Sequence, residues 1–430
     1  MIENFKNEWQ IHIMCLLLAF FYLWGISLVP FHPDESTQIF MSQDLFDFKK
    51  DPLSLSYSPD TELVGKTIYH AIDMPLTRYL IGIARSVTNT PGLSSDWNWS
   101  LSWEDNIEAE AYPSILLLKT ARFIPTLLIP ISLYLFYFSV RNVLPKAPAL
   151  IAVLFLGLNP LILLHCRRAM AESSLLFGTA LFLWSITRDK IKPVLVGIAL
   201  AAAFNAKQTG IFLLPVGIIA VCTLPKGDLH LRNMLARSST LVGVFLVITF
   251  LLNPFYWKFP LSAFTASYQV RTQLLELQLS DHLQEGFIFF KSLLHLIANM
   301  FISPAAISDV GNYLVPLAGQ VQEYNDILPH YWGRSLPGGS LQLIFLISGF
   351  ILMIKRYKEQ PKTIQVSLIL LLTTTIFLFF GILFFLTIPW QRYIIPLLPL
   401  SALWIGYGLS PLTDALKTAL DARKTSTILS

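Results

Sequence analysis

The segment FHPDESTQIF (residues 31–40) directly follows an apolar run, Ile11 to Val29, and carries two adjacent carboxylates, Asp34 and Glu35. Two chemistries suit this arrangement. Proline in a first helical turn, with acids against the positive end of the helix dipole, marks a helix start. A carboxylate at a membrane's outer edge can also serve as a general base. It would take a proton from an acceptor hydroxyl as that oxygen attacks a sugar carbon.

Three further polar clusters punctuate the apolar runs. HCRRAMAESS (165–174) holds Arg167, Arg168 and Glu172. Ionisable groups at membrane depth are costly and tend to face a cavity and pair with one another. Arg168 and Glu172, four residues apart, also suit a plain interfacial ion pair on a helix. FNAKQTG (204–210) presents Lys207 with no acid near it in sequence. Its ammonium fits an anion such as a lipid phosphate, or snorkels to headgroups. PWQRYIIPLLP (389–399) carries Arg392, whose planar fork can grip phosphate at two points. Trp390 and Tyr393 beside it fit an aromatic belt. Nearer the N-terminus, YHAIDMPLTRYLIGIARS (69–86) places His70, Asp73 and Arg78 before an amphipathic segment. DWNWSLSWED (96–105) sets Trp97, Trp99, Leu101 and Trp103 at alternate positions, for stacking on sugar rings or anchoring at the interface. Asn98-Trp99-Ser100 is also a glycosylation sequon.

These clusters need a scaffold, and composition names it. The 430 residues are 54% hydrophobic and only 13% charged, with mean hydropathy +0.58. Soluble domains carry roughly 25% charged residues, so the chain reads as a polytopic membrane protein. A net charge of +4 gives no broad nucleic-acid-binding surface. Cys15, Cys166 and Cys222 lie far apart, without the spacing of a disulfide framework or a cysteine metal site. No small-residue cleavage motif follows the first apolar run, so it reads as a retained span rather than a signal peptide.

Runs of the length that spans need occur near 11–29, 114–138, 148–165, 173–187, 193–205, 209–224, 239–253, 341–354, 364–388 and 393–410. Four of them (173–187, 193–205, 209–224 and 341–354) are short. Basic residues of the short loops, from Arg141 and Lys146 to Lys355 and Arg356, gather on one side under this ten-span reading, which makes that side cytoplasmic. Residues 30–112 and 254–340 are then two long loops on the outer face. The segment 286–302 could be an eleventh span, but crossing there would put KRYKEQPK (355–362) outside. Lys291 and His295, four apart, suit a helix lying in the interface, and that is the expectation. All four polar clusters fall on the outer face.

Taken in order, these motifs resemble one family. An Asp-Glu pair follows span one, and DMPLTR lies in the first outer loop. An Arg…acid cluster follows span three, a lone lysine sits between two short spans, and RYxxPLxP opens the last span. The chain is similar to the GT-C glycosyltransferases, and more closely to bacterial relatives of the protein O-mannosyltransferases and lipid A aminoarabinose transferases. The resemblance implies an all-α, GT-C-like membrane protein of about ten transmembrane helices, with interfacial helices in the two outer loops. It implies one domain over 1–430, without the soluble C-terminal domain of some relatives. It makes Asp34 the catalytic carboxylate, with Glu35 beside it and Glu172 as the second acidic position. Arg78 stands where relatives have the lysine of an HPPLGK-like stretch. Lys207 and Arg392, with Arg167, Arg168 and Arg78, would serve the donor phosphate, and His70, Asp73, Tyr393, Trp97 and Trp99 the substrates.

The activity so implied is inverting transfer of a sugar from a polyprenyl-phosphate donor to an acceptor hydroxyl, on the outer face of a bacterial cytoplasmic membrane. The scheme requires no metal, although Asp34, Glu35 and Glu172 could share a divalent cation. The competing class is a flippase or transporter of lipid-linked sugar. It should show paired inverted repeats with matching broken helices, and the sequence shows no such symmetry.

Overall fold

The computed structural model describes residues 8–60, 62–223, 231–282, 289–308, 313–385 and 390–429. Among them there are helices and no strands. In hydrocarbon a helix satisfies its own backbone groups, so the apolar runs fold this way. After α1 (Trp9–Trp24) the first long loop, expected from the sequence on the outer face, carries α2 (Pro33–Met41), α3 (Asp44–Lys50), α4 (Lys66–Ile72), α5 (Leu76–Thr88) and α6 (Trp103–Glu108). The long α7 (Ile115–Arg141) follows, then α8 (Lys146–Gly157), α9 (Pro160–His165), α10 (Ala171–Ile186), α11 (Pro193–Ala206), α12 (Leu214–Cys222) and α13 (Leu231–Leu252). The second long loop, expected on the same face, carries α14 (Pro260–His282), α15 (Phe289–Phe301) and α16 (Ala318–Asn325). The chain then runs through α17 (Leu336–Arg356), α18 (Lys362–Phe385) and α19 (Leu398–Leu429).

Among the described residues, six helical stretches are long and apolar enough to cross a membrane: Trp9–Ser27, Ile115–Arg141, Leu231–Leu252, Leu336–Glu359, Lys362–Phe384 and Gln391–Leu416. The other expected spans are short or interrupted. The run 148–165 breaks where Asn159 caps α9, its side chain accepting from the Leu161 N–H at 3.0 Å ahead of Pro160. The run 209–224 opens as a 3-10 turn, Gln208–Leu213, before α12. The last run opens the same way over Gln391–Leu397. Large apolar side chains on α1 and α17, such as Leu17, Phe20, Ile344 and Ile354, stay exposed as a lipid-facing surface would. α15 buries Leu296, Met300 and Phe301 and exposes Lys291 and His295 on its other side. That two-sided pattern suits an interfacial helix; residues 286–288 of the segment lie outside the described residues.

Small residues set the close helix crossings, as is usual in membranes. A Cβ on Gly349 would lie 1.9 Å from the Trp404 carbonyl oxygen, and one on Gly408 2.0 Å from that of Phe345, so α17 and α19 touch backbone to backbone. Gly178 on α10 plays the same part toward α11, where a Cβ would stand 2.4 Å from Ala203 Cα. This crossing matters for function, because α10 begins next to Glu172 and α11 ends next to Lys207. Gly178→Val is expected to force the two helices apart, at about 1–3 kcal/mol for an overpacked contact. Thermal denaturation in detergent should show a lower midpoint; an unchanged midpoint would mean that the crossing tolerates a side chain.

Two hydrophobic clusters hold the outer loops over the membrane helices. One packs Phe31, Ile39, Ile81 and Trp97 with Leu117 and Ala121 of α7 and with Tyr313 and Leu317 of the second loop. The other packs Ala71 and Ile72 of α4 against Phe255 and Ala263. Both loops are thereby fixed around one space.

Candidate active site

HPDE is a helix start, and its geometry separates the two acids. Pro33 opens α2, the His32 imidazole accepts from the Asp34 N–H at 3.1 Å, and the Glu35 carboxylate accepts from the His32 N–H at 3.1 Å. This reciprocal capping box satisfies two orphan donors of the first turn. Consecutive helical residues point about 100° apart, so Asp34 and Glu35 face different surroundings. Glu35 is fully buried. Arg122 of α7 grips it at two points, Nε to Oε1 at 2.7 Å and Nη2 to Oε2 at 2.6 Å, and the Ala169 N–H donates to Oε1 at 2.8 Å. The same Arg122 donates through Nη1 to the Ile26 and Val29 carbonyls at 2.7 and 2.8 Å. Glu35 is thus a hub joining the end of α1, α2, α7 and the loop before α10.

Asp34 turns instead into a cavity of about 940 Å³ between the outer loops and the helix ends. There it meets Arg392, which donates through Nη1 to Asp34 Oδ2. Arg392 is carried by the 3-10 turn before α19, and its guanidinium lies over the Trp390 ring at 4.5 Å. Burial works against the charged form of Asp34. The Arg392 guanidinium, with His32, outweighs it and holds the carboxyl down to about 2.

A second pair lies in the same cavity. Glu172 sits in the first turn of α10, where an acid complements the helix dipole, and Lys207 follows the last residue of α11, where a cation does. Their antiparallel packing brings Lys207 Nζ to 2.8 Å from Glu172 Oε1. The ammonium also lies over the Tyr393 ring at 4.5 Å, a cation–π contact. The Lys207 turn is anchored from both sides. Asn205 accepts from Asn253 Nδ2 at 2.6 Å, and Gln208 donates to the Ile72 carbonyl at 3.2 Å.

The remaining wall is polar on the first-loop side. Asp73, Asp96, Gln38, Ser94, Ser95 and Trp99 line it, and Arg271 enters from α14. Burial pushes the carboxyls of both Asp73 and Asp96 up, for Asp73 against the pull of Arg78 and Arg271. Polar oxygens of the lining that are buried without a hydrogen-bond partner include Gln38 Oε1, Thr209 Oγ1 and Glu172 Oε2. Buried polar groups are normally satisfied, so these three mark places where a polar ligand would be received.

Of the residues singled out in the sequence, Asp34, Glu172, Lys207, Arg392, Asp73, Tyr393 and Trp99 meet in this one cavity. The others lie elsewhere. Arg78 Nε and His70 Nε2 lie 3.0 and 2.9 Å from one oxygen of the buried Asp44, so the basic residue of DMPLTR is spent on α3. Arg167 donates to the Phe21 carbonyl at 3.0 Å, lies over the Phe21 and Tyr22 rings, and meets His330 at 2.9 Å. Arg168 donates to the Pro30 and Ile307 carbonyls at 3.1 and 2.7 Å. Both arginines are fully buried and tie the end of α1 to the second loop. Arg168 does not pair with Glu172 as the four-residue spacing allowed, because the chain is not helical between them. Trp97 is buried against Phe31 and Trp103, while Trp99 stays 40% exposed. Arg122, Asp96, Gln38 and Arg271 were not foreseen: each is a single polar residue in an ordinary helix or loop, and only folding supplies its partner.

Residues 118–257, about a third of the chain, match the dolichyl-phosphate-mannose-protein mannosyltransferase family. Comparison with curated protein sequences gives no match. Among solved structures, the chain is similar to an Archaeoglobus fulgidus oligosaccharyltransferase, solved with an inhibitory peptide and a dolichol-phosphate. The TM-score is 0.50 at 15% identity, over 97% of this chain and 52% of that one. A second structure of an oligosaccharyltransferase from that organism, with zinc and sulfate, gives a TM-score of 0.51 at 15% identity, over 94% and 49%. ArnT from Cupriavidus metallidurans bound to undecaprenyl phosphate gives 0.48 at 14% identity, over 96% and 63%. The chain spans about half the length of the archaeal relative. Nearly the whole chain shares the fold of the archaeal structures, the GT-C-like helical fold that the sequence leads one to expect, around a segment that matches the mannosyltransferase family.

Proposed function

We propose that the chain is an inverting glycosyltransferase, moving a sugar from a polyprenyl-phosphate donor to an acceptor hydroxyl at the outer face of a membrane. One observation carries the reading: two carboxylate–cation pairs, delivered by four separate segments, converge in a single cavity at the ends of apolar helices. The archaeal relative binds a dolichol-phosphate and a peptide, which supports a lipid phosphate on one side of such a cavity and an acceptor on the other.

The chemistry follows from the side chains. Asp34 orients the acceptor hydroxyl and takes its proton as the oxygen attacks the anomeric carbon. The bond from that carbon to the phosphate oxygen breaks on the opposite face, so the configuration inverts. The lipid phosphate leaves with the bonding electrons and gains negative charge. Lys207 and Arg392 stand where that charge develops, fixed in advance by the Tyr393 and Trp390 rings. Trp99 and the Asp96–Gln38 wall receive the sugar. Arg271, on α14, is a third cation on this cavity.

Lys207→Ala tests the phosphate assignment. Removing one fixed donor to a developing oxyanion costs on the order of 10²–10³-fold in turnover. The expected result is that loss in transfer, with a weaker apparent affinity for the donor. Unchanged transfer and donor affinity would remove Lys207 from the phosphate site.

A further inference from the structure

We infer that Asp34 and Glu172 occupy, in the unloaded protein, the places on Arg392 and Lys207 that a donor's phosphate takes, so that donor binding displaces both carboxylates and sets Asp34 free to act. The inference rests on the transferase reading and adds an order of events to it.

The geometry supplies each part. Lys207 and Arg392 are the two cations of the cavity that already hold an anion at contact distance, and in both cases the anion is a single carboxylate oxygen. An ammonium has three donors, so the Lys207 cation is not saturated by that contact. Each cation is also held from behind by an aromatic face, Tyr393 under the ammonium and Trp390 under the guanidinium, both 4.5 Å away. A cation seated on a ring keeps its place when the carboxylate in front of it leaves. Glu172 has a second oxygen, buried on the same cavity, that accepts no hydrogen bond. Its carboxylate is therefore committed at one oxygen only.

The charges balance in stages. A sugar-phosphate diester carries one negative charge, and the phosphate it leaves behind gains a second as the carbon–oxygen bond breaks. Both carboxylates give way as the diester binds, and the second charge then develops against the two cations they have left. While paired with Arg392, Asp34 is a poor base because the guanidinium stabilises its charged form. Losing that partner raises its proton affinity at the moment an acceptor is needed. The protein would therefore bind donor before it can activate an acceptor or water, which protects the donor from hydrolysis.

The test is the affinity of an unglycosylated polyprenyl phosphate, measured on purified full-length protein in nanodiscs. The wild type is compared with Glu172→Gln, Asp34→Asn and Asp96→Asn. Each substitution is nearly isosteric and removes one negative charge from the same cavity, but Asp96 accepts from Tyr69 and the Trp97 N–H rather than from either cation. Displacement predicts that Glu172→Gln and Asp34→Asn each bind the lipid phosphate about tenfold or more tightly than wild type, with Asp96→Asn within about threefold. A purely structural role for the carboxylates, holding the cations in position, would weaken binding instead. Equal or weaker binding by both paired variants overturns the inference, as does equal tightening by all three, which would be a bulk charge effect. If the wild type binds a polyprenyl phosphate no better than the uncharged polyprenol, the phosphate site itself is wrong and the transferase reading falls with the inference.

Discussion

Asp34→Asn should lower sugar transfer by about 10²–10⁴-fold, the contribution of a positioned general base, while leaving the protein folded and able to take up a polyprenyl phosphate. The reasoning is local. Asp34 faces the cavity at 32% side-chain exposure, and asparagine keeps its size and its place on α2. The capping box does not depend on it, since His32 accepts from the residue's backbone N–H and Glu35 closes the reciprocal bond. What is lost is the carboxylate beside Arg392 to which the proposal assigns the proton transfer. Initial rates with radiolabelled donor, beside a melting curve in detergent, separate the two effects. A loss of rate with an unchanged midpoint is the expected pair. A variant that transfers at the wild-type rate would take Asp34 out of the chemistry.

Its neighbour should behave in the opposite way. Glu35→Ala leaves the Arg122 guanidinium buried at full charge with only backbone carbonyls for company. Breaking a buried pair by removing one partner costs about 3–5 kcal/mol, a large part of the roughly 5–15 kcal/mol that holds a typical protein folded. The site would lose more than one contact. Glu35 also holds the His32 and Ala169 N–H groups, so the start of α2 and the loop that delivers Glu172 both loosen. Detergent melting should show a large fall in midpoint, or no folded protein recovered. Arg122→Ala should match it, and the double variant should cost less than the two single costs combined, because the residues form one unit. A Glu35→Ala variant that melts like wild type would show that the pair contributes little.

These two acids show what the sequence could and could not disclose. HPDE reads as a helix start and as a candidate base; the structure makes it a helix start, and the base is the role proposed above for Asp34. Which carboxylate does which was not legible, because the deciding residue is Arg122, 87 positions away in the next long apolar helix. Lys207 looked unpaired for a similar reason: its partner Glu172 lies 35 residues earlier and arrives by helix packing through Gly178. The buried arginines 167 and 168 did need a reason for standing among apolar runs. The reason is backbone carbonyls at the end of α1 and in the outer loops, which no local pattern encodes. Arg78 and His70 were drawn away by Asp44, which sits in an acidic and basic stretch that reads as an ordinary solvated helix. The helical class was legible throughout, since apolar length alone dictates it. The broken runs were harder, because Asn159-Pro160 and the 3-10 turns at Gln208 and Gln391 interrupt hydropathy by very little. The two 3-10 turns stand beside the cavity and present Lys207 and Arg392 to it.

The most direct measurement is transfer by the purified protein in reconstituted vesicles, offered a panel of labelled polyprenyl-phosphate sugars, with Asp34→Asn run alongside. Release of sugar from one donor to a hydroxyl acceptor, with inverted configuration and lost in the variant, is the predicted result. No release from any donor, with labelled lipid instead crossing the bilayer equally in both proteins, would contradict it and make the chain a carrier.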